Sequence, residues 1–427
     1  MPSRRLLIDL RPLRRSRDFR WLIGGQLVSL LGTQLTAVAV PFQVYRLTGS
    51  SLDVGLVSLA QLVPLVVCSL YGGSVIDAVD RRRLLLVVET LMAASSAGLA
   101  LNADAGSALW PLYLLPALTA GLSGFDSPAR SAIVPNLVPA EDISTATAMF
   151  QALFQLGSVV GPALGGVLLA GGGARFVYWI DVATFVVSVA AASRIGPQRP
   201  GPHAPRPGLR SMVEGLRYAR SRQEILGAYL MDLNAMVFGM PRALFPALGL
   251  GVFHGGARTV GWLYSSVGAG ALLGALTTGW VSRIRRQGLA VTIAVIAWGA
   301  AITAFGLLPP LPVALALLAV AGWADVISAV FRNTLIQLVV PDRLRGRLSA
   351  LQIGVVAGGP RIGDLEAGGV ASALGDQLSI VSGGAACIVG ALVLARALPG
   401  FRRARLDPAR RVGEGPAGDG SEGGAPE

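Results

Sequence analysis

Long apolar runs alternate with short polar connectors along the whole chain. A membrane-spanning helix needs about 20 predominantly apolar residues. Twelve stretches meet that measure: 20–44, 54–77, 83–102, 108–130, 143–170, 175–194, 224–250, 259–282, 288–307, 311–340, 348–372 and 378–397. The fifth and eleventh are rich in glycine and small polar residues, which predicts helices packed inside a bundle instead of facing lipid. The first run is too long for a signal-peptide core and has no small-residue cleavage site, so it is expected to be retained as a helix.

Charge placement orients these runs. The N-terminal segment, the 2–3, 6–7, 8–9 and 10–11 connectors and the C-terminal region together hold 29 arginines. The opposite connectors hold 3, namely Arg46, Arg175 and Arg258. Positive residues stay on the cytoplasmic side, so the split predicts an even number of spans with both termini cytoplasmic. The chain is 53% hydrophobic and only 14% charged, against about 25% charged in soluble domains. A net charge of +12 does not signal nucleic acid, because the basic residues sit in short connectors and form no soluble basic domain. Cys68 and Cys387 lie inside apolar runs and read as small buried hydrophobes, with no disulfide or metal spacing.

The predicted organisation is a cytoplasmic segment 1–19, a six-helix bundle 20–194, a connector 195–223, a second six-helix bundle 224–397 and a disordered tail 398–427. The connector begins proline-rich and continues from Leu209 to Arg222 as an amphipathic helix expected on the inner leaflet. The two halves echo each other. Val54-Gly55-Leu56 and Gly73-x-x-x-Asp77 recur 206 positions later as Val260-Gly261-Trp262 and Gly279-x-x-x-Arg283. Arg130 and Pro139 recur as Arg332 and Pro341, and Gly161-Pro162-x-x-x-Gly166 as Gly359-Pro360-x-x-Gly363. A duplicated all-α integral membrane protein is expected, twelve helices in two pseudo-symmetric bundles, a known transporter plan.

Ionisable groups inside spans are costly and so carry information. Asp325 lies near the middle of the tenth span, and Asp181, Asp232 and Arg242 lie in the sixth and seventh. Arg361, Asp364 and Glu366 cluster in the eleventh, where Arg361 and Asp364 have the spacing to pair. A carboxylate in a low-dielectric site can exchange protons near neutral pH. Asp325 is the first candidate for proton coupling, with Asp364 and Glu366 next; membership of a structural ion pair is the alternative for each. Gln151, Gln155, Arg242, Arg332 and Arg361 are candidate cavity residues. Helix–helix hydrogen bonding explains the glutamines equally well.

Gly73-Ser-Val-Ile-Asp77-Ala78-Val-Asp80-Arg81-Arg82 resembles the loop 2–3 signature of the major facilitator superfamily, Gly-x-x-x-Asp-Arg-x-Gly-Arg-Arg. The glycine, the aspartate and the arginine four residues on match, and Ala78 departs from the pattern. The resemblance implies an intracellular latch: Asp77 meets the N-terminus of the eleventh helix, where the helix dipole favours an anion, and Arg81 pairs with Asp126, with Arg130 nearby. Gly157-Ser-Val-Val-Gly161-Pro162-Ala-Leu-Gly165-Gly166 matches the antiporter signature of the same superfamily. Its glycines give a bare face for close packing, and Pro162 removes a backbone hydrogen bond. Stretches such as Pro41–Gly49, Asp126-x-Pro-x-Arg130 and Gly358–Gly368 resemble the enterobactin-exporter and drug-exporter branches.

These resemblances imply a proton-coupled exporter of a siderophore or another amphipathic small molecule, multi-pass and monomeric in the inner (plasma) membrane. No enzyme is expected: the two histidines lie in connectors, and no Walker loop is present. No cofactor, metal or nucleic-acid partner is expected. Nutrient uptake on the same fold and a non-transporting membrane receptor or scaffold are the alternatives.

Overall fold

The computed structural model describes residues 10–198, 216–340 and 342–404. Among the described residues the chain is helical between short turns, with no strand. The N-terminal half contains α1 (Arg17–Thr48), α2 (Ser51–Ala78), α3 (Arg81–Asp104) and α4 (Trp110–Leu137). One helical run, Ile143–Ala192, then carries two predicted spans; Gly173 breaks it with φ 72° and ψ 179°, and its limbs before and after that glycine are α5 and α6. The C-terminal half contains α7 (Gln223–Phe238), α8 (Gly256–Leu276), α9 (Gln287–Gly306), α10 (Leu311–Val339), α11 (Asp342–Leu374) and α12 (Asp376–Ala397).

The first three helices and the eleventh outrun their apolar stretches at both ends, because the backbone goes on pairing internally until a cap ends it. Ser16 opens α1 by accepting the Phe19 N–H at 3.1 Å. Gly49, at φ 65°, closes α1, and Ser50 opens α2 by accepting the Asp53 N–H at 3.2 Å. Two antiparallel spans are thus joined by two residues. Among the described residues nine helices are long and apolar enough to cross a membrane, the double run Ile143–Ala192 lying within one of them. The two remaining long helices, α4 and α11, contain internal charges, Asp126 and Arg130 in one, Arg361, Asp364 and Glu366 in the other.

Three predicted segments differ from expectation. The seventh is not one helix: α7 stops at Phe238, and the chain continues as a 3-10 turn Arg242–Leu244 and a π turn Leu248–Val252. The eighth ends as an α-helix at Leu276 and finishes in the 3-10 turn Thr278–Arg283. Of the amphipathic connector helix, residues 216–221 are helical, and the rest of that prediction lies outside the described residues; the expected disordered tail instead begins as an ordered helical turn, Pro399–Arg403, with Phe401 buried against Gly227 and Gly288, and lies outside the described residues beyond 404.

The repeat seen in sequence is also a repeat in packing. Gly161 and Gly165 of α5 face Gln34 and Leu35 of α1, while Gly359 and Gly363 of α11 face Met236 and Val237 of α7. The two halves meet along two seams, α2 against α11 and α5 against α8. In the second seam a Cβ at Gly166 would lie 2.8 Å from the Gly261 Cα, so only glycine allows that approach. In the first, a Cβ on Gly55 would run into the backbone of Asp364 and Leu365. Gly55 and Gly261 are the repeat-related pair, and each is the point where its helix crosses to the other half.

Candidate functional site

The break after α7 begins at Gly239-Met240-Pro241. Proline has no N–H to donate, so the helical ladder stops there. The Gly239 carbonyl, released from the helix, accepts the Trp298 Nε1–H at 2.7 Å. Beside the break lies a small cavity whose walls include Pro241, Phe245, Trp298 and Gly322, with Arg242 and Asp325 as its charged groups. Interrupted spans with exposed backbone are where transporters of this plan hold substrate and coupling ions.

Arg242 connects this cavity to the seam between the halves. Its guanidinium lies 4.0 Å from the Asp364 carboxylate of α11. The same carboxylate oxygen accepts the Ser58 hydroxyl of α2 at 2.8 Å. The Arg242 carbonyl accepts the Tyr264 hydroxyl at 3.1 Å, which fixes the turn. The structure therefore brings together Asp325, Arg242 and Asp364, three residues that sequence spacing could not join, and it adds Ser58, a hydroxyl with no distinguishing pattern. The expected Arg361–Asp364 pair is not formed. Arg361 donates instead to the Ala357 carbonyl of its own helix at 2.7 Å, and Arg242 from α7's extension faces the carboxylate. Glu366 is half-buried and has no hydrogen bond or ion pair among the described residues.

Two further buried charge clusters brace the bundles. Arg332 pairs with Asp232 at 2.6 Å and donates to the Ser328 hydroxyl at 2.6 Å, tying α10 to α7. In the other half Arg130 pairs with Asp126 at 2.9 Å and contacts Glu89, which also accepts the Ser188 hydroxyl at 2.9 Å. The Arg81–Asp126 pair implied by the loop 2–3 signature is absent: Arg81 donates to the Ala132 carbonyl at 2.9 Å, because Asp126 is held by the arginine one turn along its own helix. Glu89 was missed by sequence reasoning, although a lone acid in the apolar run 83–102 was the available signal. Asp181 accepts hydroxyls from Thr36 at 2.8 Å and Ser96 at 2.7 Å, and so locks α6 to α1 and α3.

The surroundings of Gly73 and the side chain of Asp77 lie outside the described residues, and so do the side chains of residues 341–347 at the start of α11. The antiporter-type motif is distributed over two partners. Gly157, Gly161 and Gly165 face α1, Gly166 faces α8, and helix continues through Pro162 without interruption. Gln151 is exposed and Gln155 half-buried, neither with a side-chain hydrogen bond among the described residues.

Residues 9–417 match the family of transmembrane secretion effectors. The chain belongs to that family. Among curated relatives of this secretion effector are enterobactin exporters EntS. That of Citrobacter koseri is 31% identical over 94% of this chain and 97% of its own length. That of Escherichia coli O1:K1 is 29% identical over the same shares. Solved structures show the same fold at low identity. A bacterial homologue of the human lysosomal transporter Spinster, inward-facing and unoccupied, superposes with TM-score 0.72 at 16% identity, over 92% of this chain and 99% of that one. A D-xylose–proton symporter gives 0.69 at 15%, over 91% and 99%. The secretion effector is thus an all-α membrane transporter of the major facilitator fold, not an enzyme, and a small molecule is its substrate.

Proposed function

We propose that this secretion effector exports a siderophore or a similar amphipathic small molecule across the inner (plasma) membrane in exchange for protons. It works as a monomer in the bilayer, with both termini cytoplasmic. The arginine distribution supports that orientation. In it, the end where Ser51, Gly55, Gly166 and Gly261 meet faces outward, and the cavity at Arg242 and Asp325 is shut off from the outside.

The observation that carries the reading is the Arg242–Asp364–Ser58 bridge. It joins the cavity in one half to a seam with the other half. An anionic group on the substrate, entering from the cytoplasm, competes with Asp364 for Arg242. That competition loosens the seam and lets the outer end part. Asp364 gives up its proton inward while Ser58 and Arg242 face it, and takes one up outside once they have moved away. Asp325, which lines the same cavity, is a further proton carrier, and Glu366 the third candidate. Loop 2–3, with Gly73, Asp77 and Arg81, serves as the inner latch in the alternate state.

The test is efflux of a catecholate siderophore from intact cells and its uptake into inside-out vesicles. Collapse of the proton gradient by an ionophore abolishes both. Unchanged transport after collapse removes proton coupling. Transport only in right-side-out vesicles favours uptake over export.

A further inference from the structure

At the end of the molecule that carries the N-terminus, α1 packs on α6 through Gly25 against Ser188 and Ala191, and the two helices leave the flank beside that contact open. Between them runs an open groove lined by Arg17, Arg20, Trp21, Gly24, Ala190 and Arg194. The small residues Gly24 and Ala190 form a shallow floor, and a Cβ on Gly24 would meet nothing within 4 Å. Exposed Val187, 49% accessible, continues the wall toward the middle of the membrane. Farther along α1, Gly32 meets Asp181 and Thr184 of α6 and continues the contact begun at Gly25, while neighbouring Gly24 stays open, so the groove lies outside the helix–helix contact.

The rim carries three positive charges. Arg194 stacks over Trp21 with its guanidinium carbon 4.8 Å from the ring centroid, which holds both side chains at the groove's mouth. Among the described residues none of Arg17, Arg20 and Arg194 forms an ion pair. The neighbouring acid, Asp18, forms no ion pair among the described residues and accepts the Gly196 backbone N–H at 2.9 Å. Three uncompensated arginines, a tryptophan at the interface and an apolar channel below them match the chemistry of an anionic phospholipid: headgroup phosphate at the rim, acyl chain along the channel.

We infer that this groove is a binding site for one anionic phospholipid of the cytoplasmic leaflet. The guanidinium groups of Arg17, Arg20 and Arg194 hold its phosphate, and the lipid clamps α1 to α6. This site is independent of the export reading, since it lies on a different face from the Arg242–Asp325 cavity.

The test uses the purified full-length protein in nanodiscs of phosphatidylcholine with or without 20% phosphatidylglycerol, read by native mass spectrometry and lipid titration. Wild type retains one phosphatidylglycerol and releases phosphatidylcholine. Arg20→Gln with Arg194→Gln binds phosphatidylglycerol roughly 30-fold more weakly, about fivefold per arginine. Arg20→Lys with Arg194→Lys keeps most of the affinity, and Arg283→Gln with Arg285→Gln, at another basic connector, leaves it unchanged. Equal retention by wild type and the glutamine variant overturns the site. So does an equal loss from the control variant, which would indicate bulk surface charge. Displacement of the lipid by millimolar inorganic phosphate also overturns it, because a phosphate site would then need no acyl chain.

Discussion

Arg332 and Asp232 show what a charge inside these helices gains from a partner. A buried ion pair contributes modest net stability, but removing one partner strands the other in a low-dielectric site. Arg332→Met is therefore expected to destabilise the protein by about 3–5 kcal/mol, read as a drop in melting temperature in detergent. Asp232→Leu in the same chain recovers most of that loss, and the double-mutant cycle isolates the coupling. Asp364 is a different case: among the described residues its side-chain hydrogen-bond and ion-pair partners are Ser58, across the seam, and the more distant Arg242. Asp364→Asn keeps the shape and removes the charge. It is expected to leave expression and melting temperature near wild type while lowering proton-dependent efflux by at least tenfold. Wild-type efflux from this variant would assign Asp364 to structure alone.

At the level of elements, the broken seventh span and the glycine seams set the mechanics. The Gly239 carbonyl at the break is satisfied by Trp298, which is 2% exposed. Trp298→Phe leaves that carbonyl without its donor, at a cost of about 1–3 kcal/mol, and thermal unfolding in detergent measures it. Gly166→Val acts on one state more than the other. The added side chain collides with Gly261 and the Ala257 carbonyl only while α5 and α8 are joined. Overpacking of about 1–3 kcal/mol thus shifts the equilibrium away from the joined arrangement. In a background lacking Cys68 and Cys387, labelling of Ser51→Cys by an impermeant maleimide rises when Gly166→Val is added. Unchanged labelling would show that the seam relaxes around the valine.

At the scale of the whole molecule, alternating access requires the seams to part. Among the described residues two side-chain hydrogen bonds cross from one half to the other: Ser51 to Asp376 at 2.9 Å and Ser58 to Asp364 at 2.8 Å. Both lie on the α2–α11 side, at the end away from the termini. Replacing the first pair by Ser51→Cys with Asp376→Cys lets oxidation bridge the halves. Transport is expected to stop on oxidation and to return with reductant. Continued transport by the cross-linked protein would mean that this end need not open.

The apolar runs and the arginine split determined the class of molecule from sequence alone. Hydrocarbon offers an unpaired backbone group no partner, so a long apolar run reads as a helical span, and charge asymmetry orients it. The repeat was equally legible, because duplicated positions keep their spacing along the chain. Helix ends were legible only to within a few residues, since caps such as Ser16 and Gly49 lie beyond the apolar core of each run. Partnership was not legible. Arg361 and Asp364 sit three residues apart and still do not pair, Arg81 finds a carbonyl in place of Asp126, and Glu89 and Ser58 became site residues only when other helices reached them. The break at Pro241 had a sequence cause, but its consequence, Arg242 reaching from the cavity it lines to a carboxylate on α11, depends on how two halves pack. Tertiary structure decided those contacts because side chains remote in sequence meet through helix crossing, which no local pattern encodes.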